Sequence, residues 1–227
     1  MLTGRSNVLE FALPRPLELF GPCEIGLTGF VTYYSIPNID ITNRLLFYSE
    51  SPEENYSAIS FPIGAYEIEG IQEYLQGDLG GAEAIKLKAN NATLKVSIKS
   101  KYWIDFRRPG TLRKVLGFGK RLLAPDEWHE ADYRVNISPV NMICIECSIA
   151  DGGYVNGVRG HHIYAFAPDI EPGFKMVEQP STIHYYPVLG DKIQRLLVNI
   201  VDQQGRAINF GGEEVTVRLH VRPVTYG

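Results

Sequence analysis

Cysteine is scarce: Cys23, Cys144 and Cys147 are the only three in 227 residues. So sparse and odd a set excludes a disulfide framework and fits a reducing compartment. Long apolar runs are missing too, and none approaches the roughly 18 residues of a membrane span. Met1 to Leu13 lacks a basic start followed by an unbroken apolar core, so no secretory signal is expected. Excess positive charge is absent as well, the net charge being −4. That argues against nucleic-acid binding by the whole surface and leaves room for a local basic patch. Together these absences predict a soluble protein folded in cytoplasm or nucleus.

Catalytic signatures are equally thin. There is no Gly-x-Ser-x-Gly nucleophile motif. Gly117-Phe118-Gly119 is followed by Lys120-Arg121-Leu122, which matches neither a dinucleotide fingerprint nor a phosphate loop. Cys144 and Cys147 have CxxC spacing but lie in an extended stretch, where positions i and i+3 face opposite sides. With no second CxxC and no spaced His pair, they read as ordinary strand cysteines. His161 and His162 are adjacent and diverge on a strand, whereas a metal needs both imidazoles on one face with a carboxylate nearby. Asp126, Glu127, His129 and Glu130 offer acids and a base, but spacing alone builds no pocket that separates their pKa values. A charged, exposed loop with Trp128 tucked into the end of a sandwich is the expectation there. No catalytic residue, cofactor or metal ligand is assigned, and no enzyme activity is expected.

What is abundant is a period of two. Val215, Val217, Leu219 and Val221 alternate with Thr216, Arg218, His220 and Arg222, which predicts a half-buried strand. Residues 193–201 predict another, joined through a turn at Asp202–Gly205 to Arg206–Phe210 and then to the last strand, a C-terminal meander. Upstream strands are expected at 24–35, 44–48, 56–61, 84–89, 93–99, 103–106, 141–149, 161–166 and 182–187. Many short strands separated by turn residues mean a two-sheet antiparallel sandwich or jelly roll. Two helical pieces are expected as caps over its ends. Ile68, Ile71 and Leu75 share one helical face, and Thr111 stands as N-cap of Leu112–Leu116 with Gly117 as left-handed stop. No repeat or linker divides the chain, so one domain over residues 1–227 is expected, one domain being common at this length.

Charge segregates in one region. Lys101, Arg107, Arg108, Arg113, Lys114, Lys120 and Arg121 fall between Lys101 and Leu123 against Asp105 alone, and Asp126, Glu127, Glu130 and Asp132 follow without a cation. Two solvated loops are one reading. Complementary surfaces meeting across a subunit contact are another, with Arg107, Arg108, Arg113 and Lys114 facing Asp126, Glu127 and Glu130. A third is a basic loop turned toward packaged nucleic acid.

Several segments are recognisable in order along the chain: Glu24-Ile-Gly-Leu-Thr-Gly-Phe, Tyr34-Ser-Ile-Pro-Asn-Ile, Gly64-Ala-Tyr-Glu-Ile-Glu-Gly-Ile, Leu87-Lys-Ala-Asn-Asn-Ala-Thr-Leu-Lys, Ile104-Asp-Phe-Arg-Arg-Pro, Val115-Leu-Gly-Phe, Ala124-Pro-Asp-Glu-Trp-His-Glu, Ala167-Pro-Asp-Ile-Glu-Pro-Gly-Phe-Lys, Val201-Asp-Gln-Gln-Gly-Arg and Gly212-Glu-Glu-Val-Thr-Val-Arg-Leu-His-Val-Arg. Their collinear order from about Glu24 to Pro223 resembles the penton, or minor capsid, proteins of Maverick/Polinton elements and related endogenous DNA viruses. The resemblance implies a single jelly roll with five copies around each vertex of an icosahedral particle. It also implies contact with a double-jelly-roll major capsid protein, and a place in the virion. Residues 1–22 resemble the family less and are expected as an N-terminal arm. The competing function is a carbohydrate- or receptor-binding β-sandwich, which would use exposed aromatics such as Trp103, Trp128 and the pairs Tyr33-Tyr34 and Tyr185-Tyr186.

Overall fold

The computed structural model describes residues 1–5, 7–53, 55–155 and 158–225. In chain order its elements are β1 (Leu2–Gly4), β2 (Val8–Glu18), β3 (Cys23–Tyr33), β4 (Leu45–Ser49), β5 (Ser57–Ser60), α1 (Ile68–Leu79), β6 (Ile85–Asn90), β7 (Lys95–Ser100), β8 (Trp103–Asp105), β9 (Leu122–Leu123), β10 (His129–Glu130), β11 (Ile143–Cys147), β12 (Gly153–Val155), β13 (Val158–Phe166), β14 (Lys175–Glu178), β15 (Tyr186–Pro187), β16 (Lys192–Asp202) and β17 (Val215–Pro223). They gather into two compact units, one of Met1–Ile36 with Val140–Gly227, the other of Pro37–Pro139.

The first unit holds two antiparallel sheets, one ordered β1-β17-β3-β14 with β15 also on β3, the other β12-β13-β11-β16-β2. With the short β12 and β15 set aside, eight strands remain. Numbered along the chain, they run first-eighth-third-sixth in one sheet and second-seventh-fourth-fifth in the other. That interleaving of consecutive strands between two sheets is a jelly roll. Alternation aims one face of each sheet at a shared core, which includes Ile25, Leu27, Phe30, Ile145, Val198, Ile200 and Val217. Phe30 anchors it, with the rings of Phe166 and Phe210 tilted against it at 5.3 and 6.3 Å.

Residues up to Pro22, expected as an arm, carry β1 and β2. Leu2 opposes Val217, Leu9 opposes Val198, and both leucines are buried. The C-terminal meander does not form. β16 and β17 belong to different sheets, and of Arg206–Phe210 only Ala207 makes a bridge, to Val201. Ile208 and Phe210 are buried in the core instead, so this segment serves packing. Val215 and Val217 are fully buried as expected, while Leu219 and Val221 only pack partly against the core. A bulge between Arg218 and Leu219 interrupts the register there.

Sequence predicts one sandwich over residues 1–227, whereas the jelly roll takes its strands from the first unit alone. The second unit lies between β3 and β11 in sequence and has its own core. It contains a sheet β10-β7-β6, a sheet β5-β4-β8-β9 and the helix. α1 buries Ile68, Ile71, Leu75 and Leu79 in that core and stops at Gly80 with φ +87°. The second expected helix is a 3-10 turn over Leu112–Lys114, and Thr111 does not cap it. Its hydroxyl donates to the Arg108 carbonyl at 3.3 Å. Gly117 does take the left-handed conformation, at φ +78°.

Candidate functional site

Strand β8 ends on Asp105, whose side chain is 5% exposed. The next residues turn back on it. Arg107 donates from Nε to Oδ1 at 2.8 Å, from Nη2 to Oδ2 at 3.1 Å and from its own backbone N–H at 3.0 Å. Arg108 adds an Nε bond at 3.3 Å. The Arg107 hydrogen bonds hold the Asp105 carboxyl below its usual range, overcoming the opposite effect of burial. The Arg108 guanidinium also lies 5.0 Å from the Phe47 ring centre and 4.9 Å from that of Tyr56. Both arginines are thereby held in place by neighbours within their own unit.

Gly110, at φ +72°, then gives its carbonyl to the Leu45 N–H at 2.8 Å. That lays Thr111 beside Leu45 in a parallel bridge. The following 3-10 turn buries Leu112 and carries Arg113 and Lys114. Gly117 accepts the Tyr133 N–H at 2.8 Å, and Lys120 comes three residues later. Arg107, Arg108, Arg113, Lys114 and Lys120, with Thr42 and Asn43, line a cleft of about 370 Å³. The four basic residues singled out in the sequence therefore come together. Lys120 joins them without having been singled out, although it lies in the same basic run.

The acidic residues do not line this cleft. Asp126, at φ +63°, borders a second cleft with Lys86, Lys99, Lys101 and Trp128. Glu127 lies 3.4 Å from His129 Nε2. Glu130 pairs with Ser97 in the β10–β7 ladder, and its carbonyl accepts from the Arg121 guanidinium. Asp132 takes Arg121 at 3.3 Å and the Gly119 N–H at 2.7 Å. Folding thus interleaves charges that are separate in sequence, placing Lys99 and Lys101 beside Asp126 and Arg121 beside Asp132. Trp128, expected to be tucked in, is 50% exposed.

Cys144 and Cys147 lie on β11 and both are buried. Burial raises each thiol above its ordinary range, with Glu146 and Asp202 adding to the effect at Cys144. Neither has the lowered pKa of a reactive or ligating thiolate. The histidines diverge: His161 Nδ1 is 2.7 Å from the Ala150 carbonyl, and His162 Nε2 is 3.4 Å from Glu146 Oε1. Among the described residues no group of three or more His, Cys, Asp or Glu is placed to hold a metal. No helix among them is long and apolar enough to cross a membrane.

No protein-family model and no curated protein matches the chain. Among solved structures it is similar to the mavirus penton protein, at 9% sequence identity and a TM-score of 0.46, over 97% of this chain and 92% of that one. At that identity and score the likeness decides nothing about function, and the fold assignment stands on strand order.

Proposed function

We propose that the chain is a structural capsid protein forming the pentameric vertex of an icosahedral particle, of the kind made by Maverick/Polinton-type elements. The observation that carries this reading is the eight-strand jelly roll, an architecture of viral capsid domains. Lectins and cupins share that architecture, and fold alone does not choose among them. The collinear segments quoted above favour the capsid. On this reading the partners are four further copies and a double-jelly-roll major capsid protein, and the protein resides in the virion.

A ring uses head-to-tail contacts, in which one patch meets a different patch on the neighbour. Asp126, Glu127 and Glu130 lie off the basic cleft of their own chain, and the proposed contact sets them against Arg107, Arg108, Arg113 and Lys114 of the next chain. Light scattering coupled to size exclusion tests the ring, expected as five chains of 25.4 kDa each. Arg113→Glu with Lys114→Glu, which leaves the Asp105 pairs intact, weakens it, most at low salt where screening is least. Asp126→Lys with Glu127→Lys in the same chain restores part of it. Monomers or dimers at every concentration overturn the ring. Glycan binding by such a monomer supports the carbohydrate-binding reading, which the half-exposed Trp128 favours.

A further inference from the structure

Among the described residues, the cleft lined by Arg107, Arg108, Arg113, Lys114 and Lys120 holds more cations than the carboxylate bonded to them neutralises. Asp105 contacts two of the five, Arg107 and Arg108, and its carboxylate is already bonded to both. At about 370 Å³ the cleft falls among small-ligand sites, which span about 300–1,000 Å³. We propose that it binds phosphate groups, supplied either by a nucleic-acid backbone or by a free polyphosphate anion.

Three features suit the cleft to phosphate. Arg107 and Arg108 are braced by Asp105 and by the rings of Phe47 and Tyr56, so few rotamers are lost when an anion arrives. Their remaining N–H groups suit phosphate oxygens, which guanidinium groups bind in paired fashion. The excess of cations also calls for several negative charges in a small volume. A phosphodiester chain or pyrophosphate provides these. The inference stands on the cleft and does not depend on a ring of five.

The test uses the full chain with two probes, pyrophosphate by calorimetry and a short labelled single-stranded DNA by fluorescence anisotropy over a salt series. The variant is Lys114→Glu with Lys120→Glu, both exposed, and Lys88→Glu on β6 with Lys192→Glu on β16, also exposed, is the charge-matched control. Far-UV circular dichroism confirms that each is folded. DNA affinity is expected to fall at least about tenfold in the cleft variant relative to the control. Its salt slope should drop by about 0.7 for each phosphate contact removed, and pyrophosphate should compete with DNA. Pyrophosphate binding that the cleft variant abolishes, without DNA binding, supports the site and assigns it to a small phosphate anion. Binding of neither probe, or binding that the cleft variant and the control weaken equally, overturns the proposal. If the cleft variant abolishes salt-sensitive self-association while neither probe binds, the cleft is a subunit contact instead.

Discussion

Asp105 and Arg107 stand two positions apart and form a two-armed pair, Nε to Oδ1 at 2.8 Å and Nη2 to Oδ2 at 3.1 Å. The same carboxylate takes Arg108, so one buried acid orients two cations of the basic cleft. Because Arg107 holds its pKa below the usual 3.8, the pair's contribution is present above that pH. It is lost as pH falls from 3.8 through the lower folded value.

Asp105→Asn is therefore expected to destabilise the protein by about 1–3 kcal/mol at neutral pH. Urea unfolding at neutral and strongly acidic pH checks this. The gap between wild type and variant should narrow in acid, and a gap independent of pH would show that charge is not its source.

Gly117→Ala should damage the second unit more. A left-handed backbone costs a non-glycine residue about 1–3 kcal/mol. In addition, a Cβ at this position would lie 2.3 Å from the Tyr133 carbonyl oxygen and 2.9 Å from that of Arg134. Gly77→Ala, in α1 with nothing within 4 Å of the new Cβ, is the control and should match or exceed wild type in thermal midpoint.

Val217→Asp places a charge in the jelly-roll core, where Val217 is 0% exposed and opposite Phe30. A loss beyond about 3 kcal/mol is expected for an unpaired buried charge. Thermal unfolding checks it, and an unchanged midpoint would refute the inward assignment of that face.

The thiols should react in order of exposure. Cys23 is partly exposed and Cys144 and Cys147 are buried with raised pKa values. A thiol reagent should label Cys23 first and the other two only at the rate of opening. Cys144→Ser with Cys147→Ser should stay folded with a modest loss of stability. Stoichiometric zinc in the purified wild-type protein would contradict the absence of a metal role.

Features that depend on a few neighbouring residues were legible. The alternation of Val215 and Val217 placed a strand with the right face inward. Ile68, Ile71 and Leu75 marked the buried stripe of α1, and Gly117 marked a left-handed turn. Asp202–Gly205 was readable as a turn, and there the Asp202 carboxylate accepts the Gln204 and Arg206 N–H groups at 2.9 Å each. The basic half of the candidate site was legible because Arg107, Arg108, Arg113 and Lys114 sit in one short run. The surroundings of the acidic residues were not legible, since sequence distance between charges does not encode which turn folds back beside which.

The sequence by itself determined strand and helix periods, the turn glycines and the existence of a basic segment, because each follows from side-chain spacing or from sterics at one residue. Only the tertiary structure decided that β16 and β17 join different sheets, that residues 1–22 supply two strands, and that residues 37–139 close a core of their own. It alone brought Lys120 to the cleft and turned Asp126 toward Lys99 and Lys101. Those outcomes depend on which strands pair across long stretches of chain, and a period of two is the same whichever partner a strand takes.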